Sequence, residues 1–276
     1  MARRDLLALA PQYTPTAELF AAAARRRGMD VEGLGEQPDS SRYFGRTHYY
    51  GGPHFAARTA HRLGVALVEP EDGWLAGLPR TYTGRRITLG TLAQARGLSR
   101  PAFVKPPREK SFPAAVYADG TRLPAGAGGP DAPVLISEVV DWQAEFRLYV
   151  LDGEVRTGSR YLTYGVLDPA PLEGGAYEAS LRRFVADLWR THGDTLPGAV
   201  VLDVGVLGGA DRPLAVVEAN MAWFSNCYAS DPDRALDVVL RAAGPYDRLP
   251  VRERKFCRSR DRSQGHGRRA RGVSRA

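Results

Sequence analysis

Apolar residues along this chain alternate between short strand-like runs and helix-spaced sets, and the alternation changes character near residue 97. Before that point, residues 6–10 form an apolar run, Pro11-Gln12-Tyr13 turns, and Thr14-Pro15 supplies the N-cap and first-turn proline of a helix ended by Gly28. Weaker strands follow at 29–34 and 43–50. Gly51-Gly52-Pro53 then opens a helix over 53–63, closed by Gly64 and followed by an apolar strand at 65–68. Strands alternating with helices predict an α/β lobe with parallel strands and crossover connections over residues 1–97. The two glycines before a helix leave two readings open, an anion site at the helix N-terminus or an ordinary strand-to-helix turn.

Beyond that lobe, strands dominate. A short helix is expected at 89–96, a strand at 102–105, a hairpin strand at 114–117, a Gly/Pro/Ala-rich loop at 121–133 and an apolar strand at 134–140. Residues 145–151 alternate so that Glu145, Arg147 and Tyr149 share one face, and Asp152-Gly153 turns the chain into a strand over 154–161. The polar Glu145, Arg147 and Arg160 either cover a ligand or form cross-strand pairs facing water. Residues 178–192 carry Leu181, Phe184, Val185, Leu188 and Trp189 at helical spacing, which predicts an amphipathic helix packed on the core. A last helix starts at Asp231-Pro232 and stops at Gly244-Pro245.

Between those helices lies the stretch that carries chemistry. The runs at 200–206 and 214–220 are rich in β-branched residues and joined by turn-forming Gly208-Gly209-Ala210-Asp211, which predicts an antiparallel hairpin. Apolar strands have little reason to hold acids, yet Asp203 sits inside the first, and Glu218 and Asn220 share a face of the second. Two carboxylates and an amide on rigid strands suit a hard divalent cation, Mg²⁺ foremost with Mn²⁺ as the alternative. Mg²⁺ takes a few protein oxygens and completes its octahedron with water and phosphate oxygens, so a nucleotide is the expected companion. The competing reading places both acids on the solvated face of an edge hairpin.

Charge changes the picture less than its total suggests. The net +7 of the 276 residues is concentrated at 252–276, which carries nine Arg and one Lys against Glu253 and Asp261, so the remaining body is close to neutral. A specific nucleic-acid surface is therefore not expected, and 248–276 reads as a basic, disordered tail with weak, salt-dependent affinity for polyanions. No apolar run of membrane-spanning length occurs, no signal-peptide core follows Met1, and Cys227 and Cys257 support neither a disulfide framework nor a cysteine zinc site. A cytoplasmic protein is expected. With 35 arginines against only Lys105, Lys110 and Lys255, each lysine invites a reason, and two fall within six residues, either as solvated loop cations or as compact ammonium groups suited to a phosphate oxygen.

Taken in order, strand-end Lys105, Lys110 in the next loop, Ile-Ser-Glu138-Val139-Val140, Glu145, Asp203 and Glu218-Ala-Asn220 resemble the ATP-grasp family over roughly 100–243. Within it, the lysine and arginine usage is similar to the bacterial and phage clade named for one arginine and two lysines. The resemblance implies an α+β fold in which two lobes at 98–247 hold a nucleotide between them, with the preceding α/β lobe shaping the second substrate's pocket. It implies that Lys105 and Lys110 contact ATP phosphates, that backbone at Glu138, Val139 and Val140 meets the adenine edge, and that Glu145 accepts from the ribose. Asp203, Glu218 and Asn220 would hold one or two Mg²⁺ ions. Arg147, Arg160 and Lys110 would stabilise the transferred phosphoryl group or an acyl-phosphate oxyanion. The implied reaction is ATP-dependent ligation of a small-molecule or peptide carboxylate to an amine through an acyl phosphate. A kinase-like phosphotransferase, a non-catalytic nucleotide-binding module and a tail-driven interaction protein stand as alternatives. Two departures bear on substrate: the loop after Lys105 has no glycine, and the position two residues before Asp203, an arginine in D-alanine:D-alanine ligases, is Val201.

Overall fold

A computed structural model describes residues 4–35, 43–107 and 111–258. The chain begins with β1 (Leu6–Leu9), α1 (Pro15–Arg26), β2 (Asp30–Gly33) and β3 (Thr47–Tyr50), and the three strands form a parallel sheet in the order β2-β1-β3. Thr14 caps α1, its hydroxyl accepting from the Ala17 amide, with Pro15 in the first turn. Then come α2 (Pro53–Thr59), β4 (Val65–Leu67), α3 (Trp74–Gly77) and α4 (Arg80–Thr83). The 65–68 run does not join the parallel sheet. It pairs antiparallel with a strand almost two hundred residues away in the chain.

The next sheet contains β5 (Ile87–Thr91), then, after α5 (Leu92–Arg96), β6 (Ala102–Lys105), β7 (Ala115–Tyr117) and β8 (Pro133–Ser137), in the order β5-β8-β6-β7. The helix expected at 89–96 is therefore shorter. Thr91 and Gln94 form a reciprocal capping box that starts it at Leu92, which frees the preceding residues to pair with β8.

The second half holds β9 (Trp142–Leu151), β10 (Glu154–Thr163), β11 (Val166–Pro171), α6 (Glu178–His192), β12 (Ala199–Leu207), β13 (Leu214–Asn220), α7 (Pro232–Ala242) and β14 (Ala243–Pro245). Strands β11-β10-β9-β12-β13 make one antiparallel sheet, and β14 is the partner of β4. Both faces of this sheet are covered. Phe146, Leu148, Val150, Leu202, Val204 and Val206 point toward Leu181, Val185 and Leu188 of α6, while Tyr149, Ala199 and Val201 pack into the core of the N-terminal lobe together with α7. That second face is apolar for only half its length. Past Tyr149 and Val201 its residues become Arg147, Glu145, Asp203, Glu218 and Asn220, at the edge of the N-terminal cover.

Among the described residues, no helix is long and apolar enough to cross a membrane.

Candidate active site

Register brings the acids together. Asp203 on β12 lies directly opposite Glu218 on β13 and Arg147 on β9, so one row across three strands reads Arg, Asp, Glu. Directly opposite side chains in an antiparallel pair lie on one face within contact distance, and two carboxylates there need cations or donors between them. Arg147 supplies a two-pronged clamp, Nε donating to Oδ1 of Asp203 at 2.9 Å and Nη2 to Oδ2 at 2.7 Å. Lys105, the last residue of β6 in the facing sheet, bonds Glu218 across the cleft. Asn220 donates from its amide nitrogen to Asp203 at 3.2 Å and to Glu218 at 2.9 Å.

The expected convergence of three oxygens is thus met in position but not in polarity. The amide turns its nitrogen, not its oxygen, to the acids, because adjacent carboxylates demand a donor. Burial pushes the carboxyl of Asp203 up to about 6 against the pull of the Arg147 guanidinium. Burial also opposes ionisation of Glu218, yet the Lys105 ammonium and the Asn220 amide bring it down to about 2. Among the described residues no group of three or more His, Cys, Asp or Glu side chains is placed to hold a metal ion by itself. Two carboxylates and an amide still fit Mg²⁺, which fills most of its octahedron from water and phosphate.

Glu218, Asn220 and Lys105 line a cleft of about 960 Å³ between the two sheets, with Asp203 fully buried behind Glu218. Phe103, Leu75 and Ile87 give it an apolar side, and residues 138–140, between β8 and β9, form its rim together with Trp142. The Glu138 carboxylate accepts from the Arg86 amide at 2.8 Å and pairs with Arg80 at 3.3 Å, which holds this rim in place. Glu145 is buried and accepts from the Tyr161 hydroxyl at 2.9 Å. Burial raises the Glu145 carboxyl, the Tyr161 bond opposes that rise, and repulsion from Asp203 and Glu218 adds to it.

Arg160 is not part of this assembly. It pairs across the sheet with Phe146, whose side chain belongs to the opposite face, and its guanidinium bonds Asp168 at 2.8 Å. Neither Glu145 nor Arg147 is a solvated surface residue: Glu145 is covered beside Tyr161, and Arg147 lies between Asp203 and the rings of Tyr161 and Tyr228. Lys110, Arg108 and the basic residues beyond 258 lie outside the described residues. At the Gly51-Gly52-Pro53 turn the glycines serve packing: the Gly51 amide donates to the Trp223 carbonyl at 2.9 Å, and a Cβ there would meet that of Ala10 at 2.2 Å.

Two contributors carried no sequence signal. Arg85 is buried at the cleft wall, donating to the Val216 carbonyl at 2.8 Å, the Val217 carbonyl at 3.2 Å and the Ser137 hydroxyl at 3.1 Å, so it ties β13 to β8. Its guanidinium lies 5.0 Å from the Trp142 ring, which itself rests on Gly205. Burial lowers Arg85 to about 10, opposed by Glu145. Tyr228 has φ of 50° and stacks on Tyr161 at 5.3 Å, both rings beside Arg147. Its loop is pinned by side chains from four elements: Tyr149 and Tyr50 donate to the Ser225 carbonyl, while Thr16 and Ser159 accept from the Cys227 and Ala229 amides.

A cleft between two antiparallel sheets, with cations on one wall and acids on the other, defines an ATP-grasp fold. The sequence itself matches the ATP-grasp domain, family 2 of the clade named for one arginine and two lysines, over residues 82–238, and the chain belongs to that family. D-cycloserine synthetase DcsG superimposes with a TM-score of 0.55 at 17% identity, covering 85% of this chain and 98% of that one. D-alanine–D-alanine ligase from Bacillus anthracis gives 0.54 at 10% identity, covering 87% and 97%. An ATP-grasp RimK domain protein from Sphaerobacter thermophilus gives 0.50 at 16% identity, covering 87% and 100%. At these identities the likeness is one of fold. No curated protein matches the sequence.

Proposed function

We propose that the chain is an ATP-dependent carboxylate-amine ligase acting on Mg·ATP. The observation that carries this reading is the meeting of Lys105 with Glu218, the cleft-lining end of the Asp203–Glu218 row, between two sheets. The apolar side of the cleft suits a purine, backbone at Glu138 to Val140 its polar edge, and Glu145 the ribose hydroxyls. Lys105 holds the phosphates, and Lys110 is assigned with it from its place in the sequence. Asp203, Glu218 and Asn220 hold the metal, which when bound neutralises charge on the phosphates. Arg147, fixed by Asp203 and two tyrosine rings, is the cation nearest the acids on the side of the N-terminal lobe and is assigned to the oxyanion of the transferred group. In the first step a substrate carboxylate oxygen takes the γ-phosphoryl group and ADP leaves. An amine then attacks the acyl carbon, forming the C–N bond as phosphate leaves and the amine loses a proton.

The decisive assay measures ADP and inorganic phosphate with candidate carboxylates and amines supplied singly and together. Phosphate released only when both are present supports the ligase; phosphoryl transfer to a lone acceptor without phosphate release would make the chain a kinase-like phosphotransferase. Glu218→Gln keeps the shape of the side chain and is expected to remove turnover while the folded baseline in circular dichroism stays unchanged.

A further inference from the structure

Every carboxylate oxygen of Asp203 and Glu218, the two acids assigned to the metal, has a hydrogen-bond partner within the protein. Both oxygens of Asp203 accept from Arg147, and its Oδ2 also from Asn220; Glu218 accepts from Asn220 on Oε1 and from Lys105 on Oε2. Two carboxylates with two cations make a neutral quartet, which offers a free divalent cation no net attraction and obliges it to break an ion pair on entry.

The two cations are not equally held. Arg147 comes from the adjacent strand in direct register, makes two parallel bonds and carries two aromatic rings at its side. Lys105 comes from the end of a four-residue strand in the other sheet and reaches across the cleft with one ammonium on a flexible stem. A triphosphate entering the cleft gives that ammonium a stronger partner, and its departure leaves Glu218 a largely covered carboxylate short of a cation. The metal then arrives where its charge is wanted.

We propose that Lys105 is a resident counterion that closes Glu218 to free Mg²⁺ until a nucleotide draws it away, so that nucleotide and metal are taken up together and metal alone is refused. This rests on the nucleotide reading of the cleft, but its first test needs no nucleotide. Binding is reciprocal: if nucleotide removes the obstacle to Mg²⁺, Mg²⁺ tightens nucleotide by the same factor.

The experiment titrates the full chain with MgCl₂ alone, by calorimetry and by melting temperature, in the native protein, Lys105→Met, Lys105→Gln and Lys105→Arg. Native protein and Lys105→Arg, which keeps the charge, are expected to bind Mg²⁺ at least about tenfold more weakly than the two neutral variants, within the usual range of coupling between sites. Equal Mg²⁺ affinity in native protein and both neutral variants overturns the proposal, as does Lys105→Arg behaving like Lys105→Met. Two neutral substitutions guard against one of them disturbing β6. A parallel melt with a non-hydrolysable ATP analogue and Mg²⁺ separates the two readings: no shift in the native chain removes the nucleotide assignment, whereas a shift together with unchanged Mg²⁺ affinity in the neutral variants removes only the counterion role.

Discussion

The two sheets that face each other across the cleft are built on different terms. The five-stranded sheet has ten-residue strands at β9 and β10, a β12 with every residue buried, and a hydrophobic core on each face. The four-stranded sheet has strands of three to five residues over a small core around Leu92, Val104, Phe112 and Leu123. Asp203, Glu218 and Arg147 sit on the first, and the displaceable Lys105 on the second. On the proposed reading, the ligands that hold a metal in fixed geometry lie on the better-buried scaffold, and the group that changes partners lies on the lighter one.

The contrast is broken most directly at Arg147. Replacing it with Met leaves Asp203 fully buried without its cation, and breaking one side of such a pair costs about 3–5 kcal/mol. Chemical denaturation at pH 7 measures it, and a loss below about 1 kcal/mol would mean the clamp contributes little to the sheet. The companion change on the lighter wall, Lys105→Met, is expected to cost only about 1 kcal/mol, because the ammonium and Glu218 retain some contact with water. Between these two falls Gly205→Ala. A Cβ there would lie 2.2 Å from the Trp142 ring, so either the ring that supports Arg85 or β12 itself must shift, at about 1–3 kcal/mol.

How far the sequence disclosed this arrangement follows the same division. The β12–β13 hairpin, α6 and α7 were legible because each is specified locally, the first by two apolar runs around a turn, α6 by its apolar spacing, α7 by Asp231 as its cap with Pro232 behind it. The pairing of β4 with β14 was not, since nothing near Val65 states that its partner is Pro245. β11 was overlooked because Pro169 and Pro171 argue against a strand, although an edge position tolerates them. In the site, residue types that are unusual in their setting, acids in apolar strands and Lys105 in an arginine-rich chain, stood out in the sequence, and the structure brings Lys105, Asp203 and Glu218 together. Arg85 is one of 35 arginines, and only its carbonyl partners distinguish it. The reversed amide of Asn220 was beyond pattern reading as well, for it depends on how close the two carboxylates come.

The N-terminal lobe gives a smaller handle on the same comparison, because together with α7 it supplies the second cover of the five-stranded sheet. His48 on β3 lies under this contact, its Nδ1–H donating to the Leu240 carbonyl at 2.7 Å. Burial lowers its pKa below 6.5, with Arg248 contributing in the same sense, while the Leu240 bond and Asp5 act against that. At neutral pH both folded and unfolded states carry a neutral ring. Below about 6.5 the unfolded chain takes up a proton that the folded chain refuses, so stability falls with acidification until the folded value is reached. Unfolding free energy measured from pH 7 to 5 is expected to fall less steeply in His48→Gln than in the native chain; parallel curves would show that His48 titrates alike in both states.

The smallest effect is expected at Arg160, and it separates the two arginines that the sequence left equal. Its pair with Asp168 is open to water on both sides, and such pairs contribute well under about 1 kcal/mol. It also projects from the face of the sheet opposite the acid row, so its removal leaves the cleft lining untouched. Arg160→Ala should therefore melt within a few degrees of the native chain and keep the full nucleotide-dependent shift, while Arg147→Lys, which preserves charge but not the two-pronged clamp, weakens that shift. If Arg160→Ala abolished the shift and Arg147→Lys spared it, the wall opposite the lysine would have to be redrawn around the β10–β11 hairpin. The buried row on β9 and β12 would then be a structural seam, with the better-buried scaffold holding the sheet together and the chemistry carried elsewhere.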